Sequence, residues 1–242
     1  AVSNLGIDPY VAILISMAVC TVLGVGIEAF AYKPLRRAGS LAVLITAIGV
    51  SYLLQNIALL IWGSNPKAFK SLVTFNAISL FDGKLIITAE SIVTVIACVI
   101  IMIGLSVFTK KSKMGKAMRA VSEDKDAAEL MGINVNVTIS LTFAIGSALA
   151  AIAGVLLCSA YPTLQPTTGS MPGIKAFTAA VFGGIGSIPG AMVGGVLLGI
   201  IEIFSKSYIS TALSDAIVFA VLIIVLLVKP TGLLGKKITE KV

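Results

Sequence analysis

The chain has 242 residues, of which 57% are hydrophobic and 12% charged, and its formal net charge is +7; a typical soluble domain carries about 25% charged residues. A water-soluble fold cannot hide this much apolar surface, so the basic excess is read by its position along the chain and not as a nucleic-acid footprint. His is absent, which excludes an imidazole base, a His proton relay and a His metal site, and Cys20, Cys98 and Cys158 each sit inside an apolar run, with neither a disulfide framework nor metal spacing.

The first residues, Ala1-Val2-Ser3, lead into no charged region of the kind that opens a signal peptide, so none is expected. A helix crosses a hydrocarbon core about 30 Å thick with roughly 20 residues at 1.5 Å each. Four runs reach that length: residues 10–30, 41–62, 85–108 and 137–161. Three further segments are interrupted or short. Residues 169–185 contain Pro172, Gly173 and Lys175, residues 188–204 are rich in glycine, and residues 213–228 make a shorter run. The expectation is an all-α, polytopic transmembrane bundle of about seven membrane segments. It forms one domain over residues 1–242, with a cytoplasmic loop at 110–136 and a cytoplasmic tail at 229–242.

Orientation follows from the basic residues, because loops rich in Lys and Arg stay cytoplasmic. With seven crossings, thirteen of the eighteen fall on one side: Lys33, Arg36 and Arg37; the six between Lys110 and Lys125; and Lys229, Lys236, Lys237 and Lys241. The other side holds Lys67, Lys70, Lys84, Lys175 and Lys206. The 110–136 loop and the C-terminus are therefore expected inside, and Ala1 outside. Residues 169–204 either cross twice or form a re-entrant hairpin from outside. The turn between Gly183 and Gly190 has no Lys or Arg to decide, and both alternatives leave the C-terminus inside. Tyr10, Trp62, Tyr161 and Tyr208 fall near span ends, where amphipathic rings anchor at headgroups.

The most informative segment is the loop from Lys113 to Asn134. Ser122 is a candidate N-cap for a short helix, Glu123 and Asp124 suit the positive end of its dipole, and Gly132 suits a left-handed residue just past its end. A helix of two turns is marginal alone. Ala127, Ala128, Leu130 and Met131 offer small or apolar contacts, and Asp126 and Glu129 join Glu123 on a polar side. A docking surface for a cytoplasmic partner and a solvated connector both fit this pattern.

Within the membrane segments, Gln55 and Asn56 lie deep in the second run, as pathway lining or as hydrogen-bonding contacts between helices. Glu28, Glu90, Glu202 and Asp215 lie nearer run ends, either within reach of interfacial water or with a role in transport. Gly186, Gly190 and Gly194 recur every four residues, as do Gly195 and Gly199, a spacing that lets membrane helices approach closely. Pro189 with Gly183, Gly184 and Gly186 breaks the helix there, either as a discontinuous helix beside a substrate pathway or as a turn between spans. No Gly-x-x-x-x-Gly-Lys-Ser/Thr loop is present, so ATP phosphates have no binding loop here. No nucleophile and base pairing argues for an enzyme, and no catalytic, cofactor-binding or metal residue is assigned. A secondary transporter, a channel and a non-transporting assembly subunit are the competing classes.

Asp126-Ala127-Ala128, three residues and then Gly132 resemble the EAA-xxx-G loop of ATP-binding-cassette (ABC) importer permeases. Met114-Gly115-Lys116-Ala117-Met118-Arg119-Ala120, Leu130-Met131-Gly132-Ile133-Asn134, the run from Lys175 to Met192, Tyr32-Lys33-Pro34-Leu35-Arg36 and Lys229-Pro230-Thr231-Gly232 are similar to the LivH-like subunit of branched-chain amino-acid permeases. Two departures stand out: the Ile-x-Leu-Pro ending of the wider loop is missing after Gly132, and family members carry a further span before the position of Ala1. The resemblance implies an importer permease of the bacterial or archaeal inner membrane that moves leucine, isoleucine and valine, or alternatively other amino acids, amides or urea. It implies two ATP-binding subunits docked on residues 122–132, a LivM-like second permease subunit and an extracytoplasmic solute-binding protein, with surrounding lipid, no nucleic acid and no cofactor.

Overall fold

The computed structural model describes residues 8–36, 39–69, 78–80 and 85–235. Arg37, Lys70, Lys84, Lys236, Lys237 and Lys241 of the charge pattern lie outside the described residues. The elements run α1 (Pro9–Ile27), a π-helical turn (Glu28–Tyr32), α2 (Ser40–Trp62), β1 (Lys67–Ala68), β2 (Ile78–Leu80), β3 (Leu85–Ile87), α3 (Ala89–Lys111), α4 (Lys113–Glu123), α5 (Lys125–Leu130), α6 (Val135–Ala160), β4 (Thr163–Leu164), α7 (Ser170–Gly183), α8 (Ile188–Tyr208) and α9 (Ser214–Val228). The strands are minor: β1 pairs with β4 and β2 with β3, each antiparallel.

Among the described residues, five helices are long and apolar enough to cross a membrane: Tyr10–Tyr32, Leu41–Trp62, Ala89–Lys111, Val135–Ala160 and Ile188–Tyr208. The all-α polytopic class holds, but the count of seven is not confirmed. α7 has 14 residues and α9 has 15, which at 1.5 Å per residue reach roughly 21–23 Å, less than a 30 Å core. α7 stops because Gly184 and Gly186 take positive φ, 108° and 89°, where a side chain would clash with the backbone. The third run also starts later than its hydropathy suggests. Leu85–Ile87 forms a strand against Ile78–Leu80, as suits β-branched residues, and the helix begins at Ala89.

The chain divides into two compact units, one of residues 1–97 and 108–168, the other of residues 98–107 and 169–242. In the first, α1 and α6 form the most extensive helix pair. Their approach depends on Gly24, where any added Cβ would collide with Ser147, and on the Tyr32 and Phe143 rings, whose centroids lie 5.1 Å apart. In the second, Ala179 and Phe182 of α7, Leu198 of α8 and Val218 of α9 form a buried apolar cluster. Most large apolar side chains on α2 point outward, the arrangement that suits a helix whose solvent is lipid or another membrane helix.

Candidate functional site

The loop from Lys113 to Asn134 folds as two short helices. Ser112 caps the first, its hydroxyl accepting a hydrogen bond from the Gly115 N–H at 2.9 Å, and Gly115 lets α4 fold back tightly on Phe108 and Thr109. The second begins at Asp124. One oxygen of its carboxylate accepts from the N–H groups of Asp126 and Ala127, at 2.9 and 3.0 Å. This corrects the expected cap: Ser122 and Glu123 belong to α4, and the Ser122 hydroxyl donates to the Arg119 carbonyl at 2.8 Å. Asp124 displaces it because a charged acceptor serving two orphan N–H groups at a helix N-terminus outbids a hydroxyl serving one.

The other end of α5 closes as the residues suggest. Gly132 has φ 82°, its N–H donates to the Glu129 carbonyl at 2.9 Å, and the Ile133 N–H donates to the Ala128 carbonyl at 3.0 Å. This pair of bonds is the Schellman closure, which needs a left-handed residue at the position of Gly132. The six-residue helix is thus fixed at both ends. Ala128 faces inward, 4% exposed, while Leu130 and Met131 are 89% and 82% exposed. Asp126, Ala127 and Glu129 also face outward. Two large apolar side chains therefore stand beside two carboxylates at the tip of a held turn.

Immediately after this turn, Asn134 caps α6 by accepting from the Val137 N–H at 3.2 Å. Two residues further on, the Asn136 side-chain oxygen accepts from Arg36, whose guanidinium also pairs with Glu28. The second Glu28 oxygen accepts from the Ser140 hydroxyl at 2.7 Å. Glu28 is 1% exposed, so its expected place in interfacial water is corrected: its helix end packs on α6, and the carboxylate is held there by a guanidinium and a hydroxyl. Residue patterns gave no sign of this cluster, because its members are up to 112 positions apart.

The glycine- and proline-rich region forms a helix contact. Gly190 and Gly194 on α8 abut Gly183 and Ala179 on α7 so closely that an added Cβ would strike backbone atoms. Pro189 lies in the first turn of α8, capped by the Ser187 hydroxyl accepting from Gly190 at 3.1 Å; there the missing N–H costs nothing. Gly184 lies against Thr231 and Gly235, and Leu233 and Leu234 donate to the Phe182 and Gly183 carbonyls, both at 2.9 Å. Gly186 is exposed in the turn. At the opposite end of these helices, Lys175 lies 2.8 Å from Glu202 and 2.7 Å from Asp215, and Lys206 lies 2.5 Å from Glu202. Glu202 and Asp215, placed by the sequence near run ends, are joined through one ammonium. Gln55 is half-buried and donates to the Ser51 hydroxyl at 3.1 Å, and the exposed Asn56 donates to the Tyr52 carbonyl at 2.8 Å.

The family described as branched-chain amino acid transport system / permease component matches residues 1–226. The chain is similar to the high-affinity branched-chain amino acid transport system permease protein LivH of Escherichia coli (strain K12), with 46% identity over 237 residues, 94% of this chain and 74% of that protein. It is similar to the corresponding permease protein BraD of Pseudomonas aeruginosa, 45% identical over 230 residues, 94% of this chain and 75% of that one. A probable branched-chain amino acid transport permease protein LivH of Methanocaldococcus jannaschii is 32% identical over 250 residues, 95% of this chain and 76% of its own length. No solved structure matches.

Proposed function

The chain belongs to the family of branched-chain amino acid transport system permease components, and on that premise we propose that it translocates leucine, isoleucine and valine as one permease subunit of an ABC importer. It is a multi-pass membrane protein and a transport subunit, and the two compact units act as a single permease domain. ATP is hydrolysed on separate subunits that grip the segment from Ser122 to Gly132; a LivM-like permease subunit completes the pathway, and an extracytoplasmic solute-binding protein delivers the amino acid. The observation that carries this reading is α5 itself. A helix of six residues does not persist alone, yet this one is capped at both ends and turns Leu130 and Met131 outward, as a docking tip requires.

Orientation follows the basic residues, with α4, α5 and the C-terminus inside. The 21 residues of α8 span roughly 31 Å, enough for a full crossing. The turn at Gly184 is bonded to the segment following α9, so both belong at the cytoplasmic face and α8 crosses rather than re-enters. Gln55 and Asn56 line the pathway on α2, because amides in mid-span are costly against lipid. Work is done when the ATP-binding pair favours one bundle conformation; moving a two-state equilibrium from 1:99 to 99:1 takes a differential affinity of about 5.5 kcal/mol, and equal affinity for both states moves nothing.

The test is uptake of labelled leucine into proteoliposomes holding the assembled complex, with proton and sodium gradients clamped. The expected result is uptake that requires ATP and the solute-binding protein and is competed by isoleucine and valine. Uptake that follows an ion gradient without ATP contradicts the reading, as does selection of amides or urea over all three amino acids.

A further inference from the structure

We propose that Glu28 is a positioning residue for transport, the joint through which a displacement of α5 reaches the first membrane span; this rests on α5 being the segment the ATP-binding subunits grip. The hydrogen bonds form a continuous route. The Ile133 N–H is bonded to the last turn of α5, and the next residue, Asn134, caps α6. Asn136 and Ser140, in the first two turns of α6, then hold Arg36 and Glu28. Glu28 begins the π-helical turn that ends α1, its carbonyl accepting from the Lys33 N–H at 2.8 Å. One side chain thus ties the end of α1, the segment after it and the start of α6.

Three features distinguish this joint from ordinary packing. A carboxylate at 1% exposure is an expensive way to fasten two helices, since a well-packed apolar pair holds as firmly. The π-turn places an extra residue in the last turn of α1, a distortion that recurs at functional sites. Among the described residues the buried Arg36 Nε has no hydrogen-bond partner, so the guanidinium keeps one donor that a shifted arrangement of the same groups could satisfy. A joint with a second arrangement available is what a two-state bundle needs. A plain clamp has no use for one.

The experiment measures leucine imported per ATP hydrolysed by the purified, reconstituted complex carrying Glu28→Gln, Glu28→Asp, Ser140→Ala or Asn136→Ala. The coupling ratio separates the two roles, because a clamp that merely holds the fold lowers the amount of complex, its ATPase and its uptake together and leaves the ratio alone. For Glu28→Gln the ratio is expected to fall about tenfold, with Glu28→Asp partly restoring it and the two α6 variants losing about two- to threefold. If Glu28→Gln does not assemble, the α6 variants carry the test. An unchanged ratio in every variant that assembles overturns the role of Glu28 while leaving α5 as the docking segment. A wild-type complex whose uptake ignores ATP overturns both.

Discussion

Lys175 shows what a single charge does inside an apolar helix. Its ammonium lies between Glu202 and Asp215, so three helices of the second unit meet on one cation. Replacing Lys175 by Met leaves Asp215 without this partner and Glu202 with Lys206 alone. Exposed pairs contribute about 0.2–1 kcal/mol and breaking a buried pair costs about 3–5 kcal/mol. These side chains are 19–38% exposed, so the expected loss lies between, about 1–2 kcal/mol. It is read as a lower unfolding midpoint of the detergent-purified protein, and an unchanged midpoint would show that the pairs contribute nothing. In the sequence Lys175 is legible only as an interruption of an apolar run, and Glu28, Glu202 and Asp215 only as charges near run ends. Hydropathy ranks residues one by one and is silent about partners 27 or 112 positions away. Gly132 was legible because its reason is local: the Schellman closure next to it needs a left-handed residue.

At the scale of the element, α5 is a held turn whose two adjacent alanines face opposite ways. Ala128 is buried against its own chain and Ala127 is exposed. Ala128→Trp overpacks the fold, costing about 1–3 kcal/mol, and lowers the unfolding midpoint of the isolated chain. Ala127→Trp leaves that midpoint where it is and instead reduces co-purification of the ATP-binding subunits at least fivefold. Equal behaviour of the two variants in both measurements contradicts docking through this face. The sequence located this helix but misplaced its start by two residues, since Ser122 and Asp124 are both capping types and only the bonds made by the Asp124 carboxylate decide between them. Long spans were legible because about twenty apolar residues can mean little else. The end of α7 was less legible, because positive φ at Gly184 and Gly186 is not visible in a hydropathy run.

Among the described residues, five long apolar helices and the shorter α7 and α9 carry few charges, and several of those charges tie helices together. Glu28 joins α1 to α6 in one unit and Lys175 joins α7, α8 and α9 in the other, while α2 presents mostly apolar side chains outward. On the proposed reading, α5 is the element through which the ATP-binding subunits act on the membrane helices. The most direct measurement is site-directed crosslinking from Met131→Cys or Leu130→Cys, in a chain whose three native cysteines, all free, are replaced by serine or alanine, within the assembled and active importer. The account predicts a covalent adduct with an ATP-binding subunit whose yield changes between the nucleotide-free and ATP-bound states. No adduct in either state, with both positions labelled by a water-soluble maleimide as fast in the complex as in the isolated chain, would contradict it.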